Sequence, residues 1–206
     1  IIISSVLHAL LIFITAMSLP FLAKKPYDIP PIVSVELIQI AEKTNIPIII
    51  YNIPGRSIVD MNIETMIELS KIENIIGVKD ATNDLFRPLL TMKKMQKGFC
   101  YLSGEDGTSL AYLAQGGHGC ISVTANVAPK LCSEMHLAWQ ESNISKAQEI
   151  NLKLSLLHNA LFIESSPGPV KYAASLLGLC KRNTRLPLTD IKDCLLYTSP
   201  SPRDDT

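Results

Sequence analysis

A lysine closes a run of residues in which a cation is out of place. In Asn-Ile-Ile-Gly-Val-Lys-Asp-Ala-Thr, residues 74–82, the apolar stretch from Ile75 to Val78 ends at Lys79. Such a run suits a strand covered on both faces, and lysine is almost never fully buried unless it is paired. A lysine at that strand end either reaches out to water or is held for chemistry. Desolvation lowers the pKa of a lysine from about 10.4 and gives a nucleophilic amine, the route to a Schiff base with a carbonyl substrate. Tyr51 ends a comparable run, Ile-Pro-Ile-Ile-Ile-Tyr-Asn at 46–52. It can project beside Lys79 toward one mouth, or can simply keep its hydroxyl wet above a half-buried ring. Asp80 offers itself as a salt-bridge partner of Lys79. Adjacent strand residues point to opposite faces, however, so Asp80 is expected to look away.

These side chains need elements to hold them. Apolar runs at 46–52, 75–81, 99–105 and 119–126 read as strands. Amphipathic stretches lie between them. One is capped by Asn62 and carries Ile63, Met66 and Ile67 on one face; the next carries Phe86, Leu89, Leu90 and Met95 and stops at Gly98. Strands that alternate with helices imply right-handed βαβ units and a parallel sheet. Sites in parallel sheets and barrels lie at the carboxyl ends of the strands. Those ends read Tyr51, Lys79, Ser103 with Gly104, and Val123 with Thr124. After residue 143 the pattern is helical only.

Composition narrows the function classes. Nineteen basic and nineteen acidic side chains cancel, which gives no support for a nucleic-acid partner. The five cysteines, Cys100, Cys120, Cys132, Cys180 and Cys194, form no Cys-x-x-Cys pair and no zinc spacing, and suit free thiols in a reducing cytoplasm. His118, set among glycines, reads as structural, and its glycines lack a phosphate-binding pattern. Glu105 and Asp106 are expected to cap the helix that follows them. Residues 1–23 contain no Asp, Glu, Lys or Arg and are long enough to span a bilayer, although His-Ala-Leu-Leu-Ile-Phe-Ile-Thr at 8–15 also reads as one buried parallel strand. The Ser/Pro-rich end, 192–206, is expected to be disordered and to lie outside the fold.

Several motifs then agree in order. "YNIPGRS" at 51–57, "NIIGVKDAT" at 74–82, "LSGED" at 102–106, "GGHGCISVTANVAP" at 116–129, "LFIESSPGPVKYAASLLGL" at 161–179 and "RLPLTDI" at 185–191 resemble the 4-hydroxy-tetrahydrodipicolinate synthase (dihydrodipicolinate synthase) family. The resemblance implies an α/β fold, a (β/α)8 barrel with a helical C-terminal extension. It implies condensation of pyruvate with L-aspartate 4-semialdehyde in lysine and diaminopimelate biosynthesis, in the cytoplasm, with no metal and no cofactor beyond the lysine–pyruvate imine. By position, Lys79 resembles the Schiff-base lysine and Tyr51 the proton-relay tyrosine. Arg56 resembles the arginine that binds the aldehyde's carboxylate, and Gly104 and Ile121 match positions lining the pyruvate pocket. The family's association into dimers or tetramers is implied as well.

The resemblance stops before about residue 37, and a full barrel takes about 250 residues. The expected organisation is an unmatched segment at 1–36, part of a barrel (about strands 4/5 to 8) at 37–143, a helical extension at 144–191 and a tail at 192–206. The expectation is a truncated, partly frame-shifted product with impaired activity, in which the family's Gly-Thr-Thr-Gly-Glu motif and partner tyrosine are missing. The alternatives are a related aldolase using the same lysine and tyrosine, such as N-acetylneuraminate lyase or a keto-deoxy-sugar aldolase, and a non-catalytic membrane-tethered remnant. Arg56 argues against the sugar-acid enzymes.

Overall fold

The computed structural model describes residues 31–192. The apolar run at 8–15, the tail and Cys194 lie outside them. Four parallel strands form one sheet in chain order: β1 (Ile48–Asn52), β2 (Ile75–Asp80), β3 (Cys100–Ser103) and β4 (Gly119–Cys120). Helices fill the connections: α1 (Pro31–Glu42) before β1, then α2 (Pro54–Ser57), α3 (Ile63–Leu69), α4 (Arg87–Met92) and α5 (Ser109–Ala114). A 3₁₀ turn (Thr124–Asn126) follows β4, and α6 (Pro129–Gln140), α7 (Ile144–Ala160) and α8 (Gly168–Leu176) complete the described chain. This is the repeated strand–helix pattern of a barrel, present as a segment.

Register sorts the strand residues into two faces. Ile50 pairs with Val78 and Val78 with Tyr101, and all three are buried beneath the helices. They join Met66, Leu69, Ile75 and Phe99 in the largest apolar cluster. The opposite face carries Ile49 and Tyr51, which are 40% and 49% exposed. Helix starts follow their local chemistry. The Asn62 side chain accepts the Thr65 N–H at 2.7 Å and so caps α3, and Asn143 does the same for α7 through Lys146 N–H.

Two local expectations are corrected. The fourth strand does not run to residue 126, because Ser122, Val123 and Thr124 give their hydrogen bonds to the Asp106 carboxylate instead of a ladder. On α4 the face toward the core is Pro88 and Thr91, whereas Phe86, Leu89 and Leu90 are exposed. Pro88 sits in the first turn, where its missing N–H costs nothing and its fixed φ favours a helix start. Among the described residues no helix is long and apolar enough to cross a membrane.

Candidate functional site

The carboxyl ends of the four strands are stitched into a staircase. Ala81 N–H donates to Asn52 O at 2.9 Å, Gly104 N–H to Asp80 O at 2.6 Å, and Ile121 N–H to Ser103 O at 2.9 Å. Each bond carries the sheet one step past its regular strands, and together they bring Tyr51, Lys79, Gly104 and Ile121 to one rim. Tyr51 and Lys79 are register partners. Lys79 Nζ lies 4.0 Å from the centroid of the Tyr51 ring, so the amine meets the face of the ring. Lys79 is half-buried, and among the described residues it forms no ion pair. Asp80 does look away. It is buried on the helix side, where Oδ1 accepts from Thr82 N at 2.9 Å and Thr82 Oγ1 at 2.7 Å.

The support behind the rim is polar and runs from buried Asn52 to exposed Asp60. Asn52 donates through Nδ2 to Asp60 at 2.8 Å and accepts from Met61 N at 3.2 Å. Asp60 in turn takes a two-pronged contact from Arg87 at 2.9 and 2.7 Å. Such paired bonds between guanidinium and carboxylate fix geometry as well as adding energy. Gly104 has no room for a side chain, since a Cβ there would stand 2.7 Å from the Cβ of Ala81. The end of β3 can therefore approach β2 closely only with glycine at this place.

Arg56 sits on α2, exposed, and donates to Ser166 O at 3.2 Å, in the turn that precedes α8. Its guanidinium is thus held between the first strand's loop and the C-terminal helices. Ile121 is 44% exposed just beyond β4. Burial pushes the thiol of Cys120, beside it, up to about 12, which disfavours the thiolate. Burial and the adjacent Asp106 raise the Glu105 carboxyl above its ordinary value, and Lys79 offsets part of that rise.

The expected helix cap at Glu105 and Asp106 is corrected, since no side chain caps that helix. Asp106, 3% exposed, does not cap the helix after it. Its carboxylate accepts from Ser122 Oγ, from Val123 N at 2.8 Å and from Thr124 N at 3.1 Å. It thereby fixes the backbone directly after Ile121. The signal available in sequence was an acid in a glycine-flanked loop at a strand end, which suggests a cap without saying of what. His118 is structural: its Nδ1 accepts the Tyr101 N–H at 3.0 Å and its ring stacks on that of Tyr101.

The profile of the Dihydrodipicolinate synthetase family matches residues 36–195. The chain belongs to this family. It is 58% identical over 149 residues to 4-hydroxy-tetrahydrodipicolinate synthase of Rhodospirillum centenum, covering 72% of this chain and 51% of that protein. It is 54% identical over 155 residues to the synthase of the same name from Gluconacetobacter diazotrophicus, covering 75% and 52%. The chain thus spans about half the length of the curated relatives it matches. Among solved structures, dihydrodipicolinate synthase from Aquifex aeolicus superposes with a TM-score of 0.78 at 37% identity, over 83% of this chain and 58% of that one. The Acinetobacter baumannii enzyme, solved as a chloride-inhibited complex with pyruvate, gives 0.78 at 37% identity over 84% and 59%. The sheet described above is accordingly a segment of a (β/α)8 barrel.

Proposed function

We propose that this chain carries the Schiff-base half of a lyase site that condenses pyruvate with L-aspartate 4-semialdehyde to 4-hydroxy-tetrahydrodipicolinate. The observation that carries the reading is the pairing of Lys79 with Tyr51 at one strand-end rim. In the reaction, neutral Lys79 attacks the pyruvate ketone and the carbinolamine loses water to give an imine. The imine withdraws electrons from C3, a C3 proton leaves, and the resulting enamine carbon attacks the aldehyde. The amino group of the second substrate then adds to the imine carbon and releases Lys79.

Tyr51 is assigned the proton transfers, with Arg56 as the ligand for the semialdehyde carboxylate and Gly104 and the Ile121 backbone as walls for pyruvate. The amine and its imine supply the electron sink, so the reading calls for no metal and no separate cofactor. The unpaired thiols of Cys100, Cys120, Cys132 and Cys180 support a reducing, cytoplasmic setting. Assembly of subunits into a dimer or tetramer belongs to the same reading, although one solved relative is described as a monomeric variant.

The test is proton exchange. The chain is incubated with pyruvate in D₂O and the methyl signal is followed by NMR, with Lys79→Met as control. Exchange that requires Lys79 supports the enamine, at a rate well below that of intact relatives. Exchange equal in the Lys79→Met variant would sink it. Adding aspartate semialdehyde or a sugar acid then separates the synthase from the sugar-acid aldolases, because only the former consumes the semialdehyde.

A further inference from the structure

The strand ends that carry Tyr51 and Lys79 are joined twice. On the open face the amine of Lys79 meets the ring of Tyr51. On the helix side a continuous series of polar contacts spans the same gap. It starts at Asp80, the buried residue after Lys79. Asp80 Oδ1 accepts from the N–H and the hydroxyl of Thr82, and Thr82 Oγ1 accepts the Asp84 N–H at 3.2 Å. Asp84 accepts the Phe86 N–H through Oδ1 at 2.9 Å and the Arg87 N–H through its backbone carbonyl at 3.3 Å. Arg87 opens α4, so the lysine's strand end is hydrogen-bonded step by step to the residue that bears the guanidinium.

That guanidinium then crosses to the preceding strand–helix unit. It grips both oxygens of Asp60, and its Nη1 also donates to Met61 O at 3.0 Å. Asp60 Oδ1 accepts from Asn52 Nδ2, and Asn52 Oδ1 accepts the Met61 N–H. Asn52 is buried and follows Tyr51 directly. Pro54, two residues on, starts the short helix that carries Arg56. The grip on β1 therefore falls between the tyrosine and the arginine of the rim.

The Arg87–Asp60 pair differs from a surface ion pair. The Arg87 side chain is 14% exposed. The lysines of the other ion pairs among the described residues are 47–87% exposed and bind acids three or four residues away. Exposed pairs of that kind contribute little, whereas a two-pronged guanidinium–carboxylate contact fixes geometry. We propose that Arg87 is a positioning residue, acting through Asp60 and Asn52 to hold Tyr51 against Lys79 for proton transfer at the pyruvate imine. The inference rests on the lyase reading.

The experiment is a double-substitution cycle on the full chain. The parent, Arg87→Met, Tyr51→Phe and the double variant are each assayed for borohydride trapping of pyruvate and for C3 proton exchange above the Lys79→Met background. Residues that act as a unit are non-additive, whereas a general loss of fold multiplies through both backgrounds. Arg87→Met is expected to lower C3 exchange about tenfold or more, since a misplacement of about 1 Å can cost about 10²-fold. In the Tyr51→Phe background the same substitution should lower exchange by less than about twofold, the margin within which uncoupled effects add. Hydrogen–deuterium exchange of Arg87→Met gives a readout that needs no activity: faster exchange at 60–62 and 80–82, with 144–160 as in the parent. Equal fold losses in both backgrounds, no loss in either, or faster exchange spread to 144–160 would overturn the proposal and leave the lyase reading standing. A parent chain that traps no pyruvate would overturn both.

Discussion

The amine of Lys79 lies over the ring of Tyr51, 4.0 Å from its centroid, and the two residues are register partners across β1 and β2. Tyr51 thus has two separable assets: a ring face that sets where the lysine stands, and a hydroxyl that can carry protons. Removing only the hydroxyl should leave the first intact.

In Tyr51→Phe, the imine to pyruvate should still form, within a few-fold of the parent rate. Proton exchange at pyruvate C3 should fall by about 10²–10⁴, the range for loss of a general acid–base. Parallel trapping and exchange assays separate the two. Equal loss in both would mean that the hydroxyl, too, positions the amine.

Asp106→Asn keeps one acceptor oxygen but loses the charge that three donors share. A hydrogen bond to a charged group contributes about 1.5–3 kcal/mol, so the backbone after Ile121 should loosen. The expected result is a pyruvate concentration for half-maximal imine formation raised about tenfold, with the maximal extent at saturation little changed. A change in extent alone would show that Asp106 serves the fold and not the pyruvate wall.

The pH response follows from His158. Burial lowers its folded pKa below the ordinary 6.5. Above 6.5 both folded and unfolded forms are neutral and the group's contribution is undiminished. As pH falls from 6.5 toward the lowered folded value, the unfolded chain takes up a proton that the folded chain refuses, and stability is lost. His136 is shifted in the same direction, also by burial. Urea midpoints at one protein concentration should therefore drop between pH 7.5 and 5.5, and less steeply in His158→Gln. A slope unchanged by that substitution would remove His158 from the account.

Association is the fourth expectation. Ile49, Tyr51, Ile76 and Ile121 are all exposed large side chains on the sheet strands or just beyond them. A large apolar group left in water forfeits about 1.5–3 kcal/mol, against about 5–15 kcal/mol for a whole domain. The chain should self-associate and bind a hydrophobic dye. Size-exclusion chromatography with light scattering checks this, and a monomer that binds no dye and melts cooperatively would contradict it.

What was legible in the sequence was local. Strand runs, the Asn62 cap and the Tyr51–Lys79 relation follow from alternation and spacing, because parallel strands of similar length end at the same edge. What was hidden was set at a distance. Asp106 serves a loop that begins sixteen residues later, so local capping rules sent it to the wrong helix. The same bonds shorten β4, whose apolar run otherwise reads as strand. The buried face of α4 was misjudged because Pro88 and Thr91, not its larger apolar residues, meet the sheet. That Lys79 meets a ring face depends on rotamers, on which spacing is silent.

The central claim is that Lys79 forms an imine with pyruvate. Borohydride reduction of the chain in the presence of pyruvate, followed by peptide mapping, tests it most directly. The account predicts one reduced adduct, on Lys79, that disappears when pyruvate is omitted and is absent from Lys79→Met. An adduct on any other lysine, or none at saturating pyruvate, would contradict it.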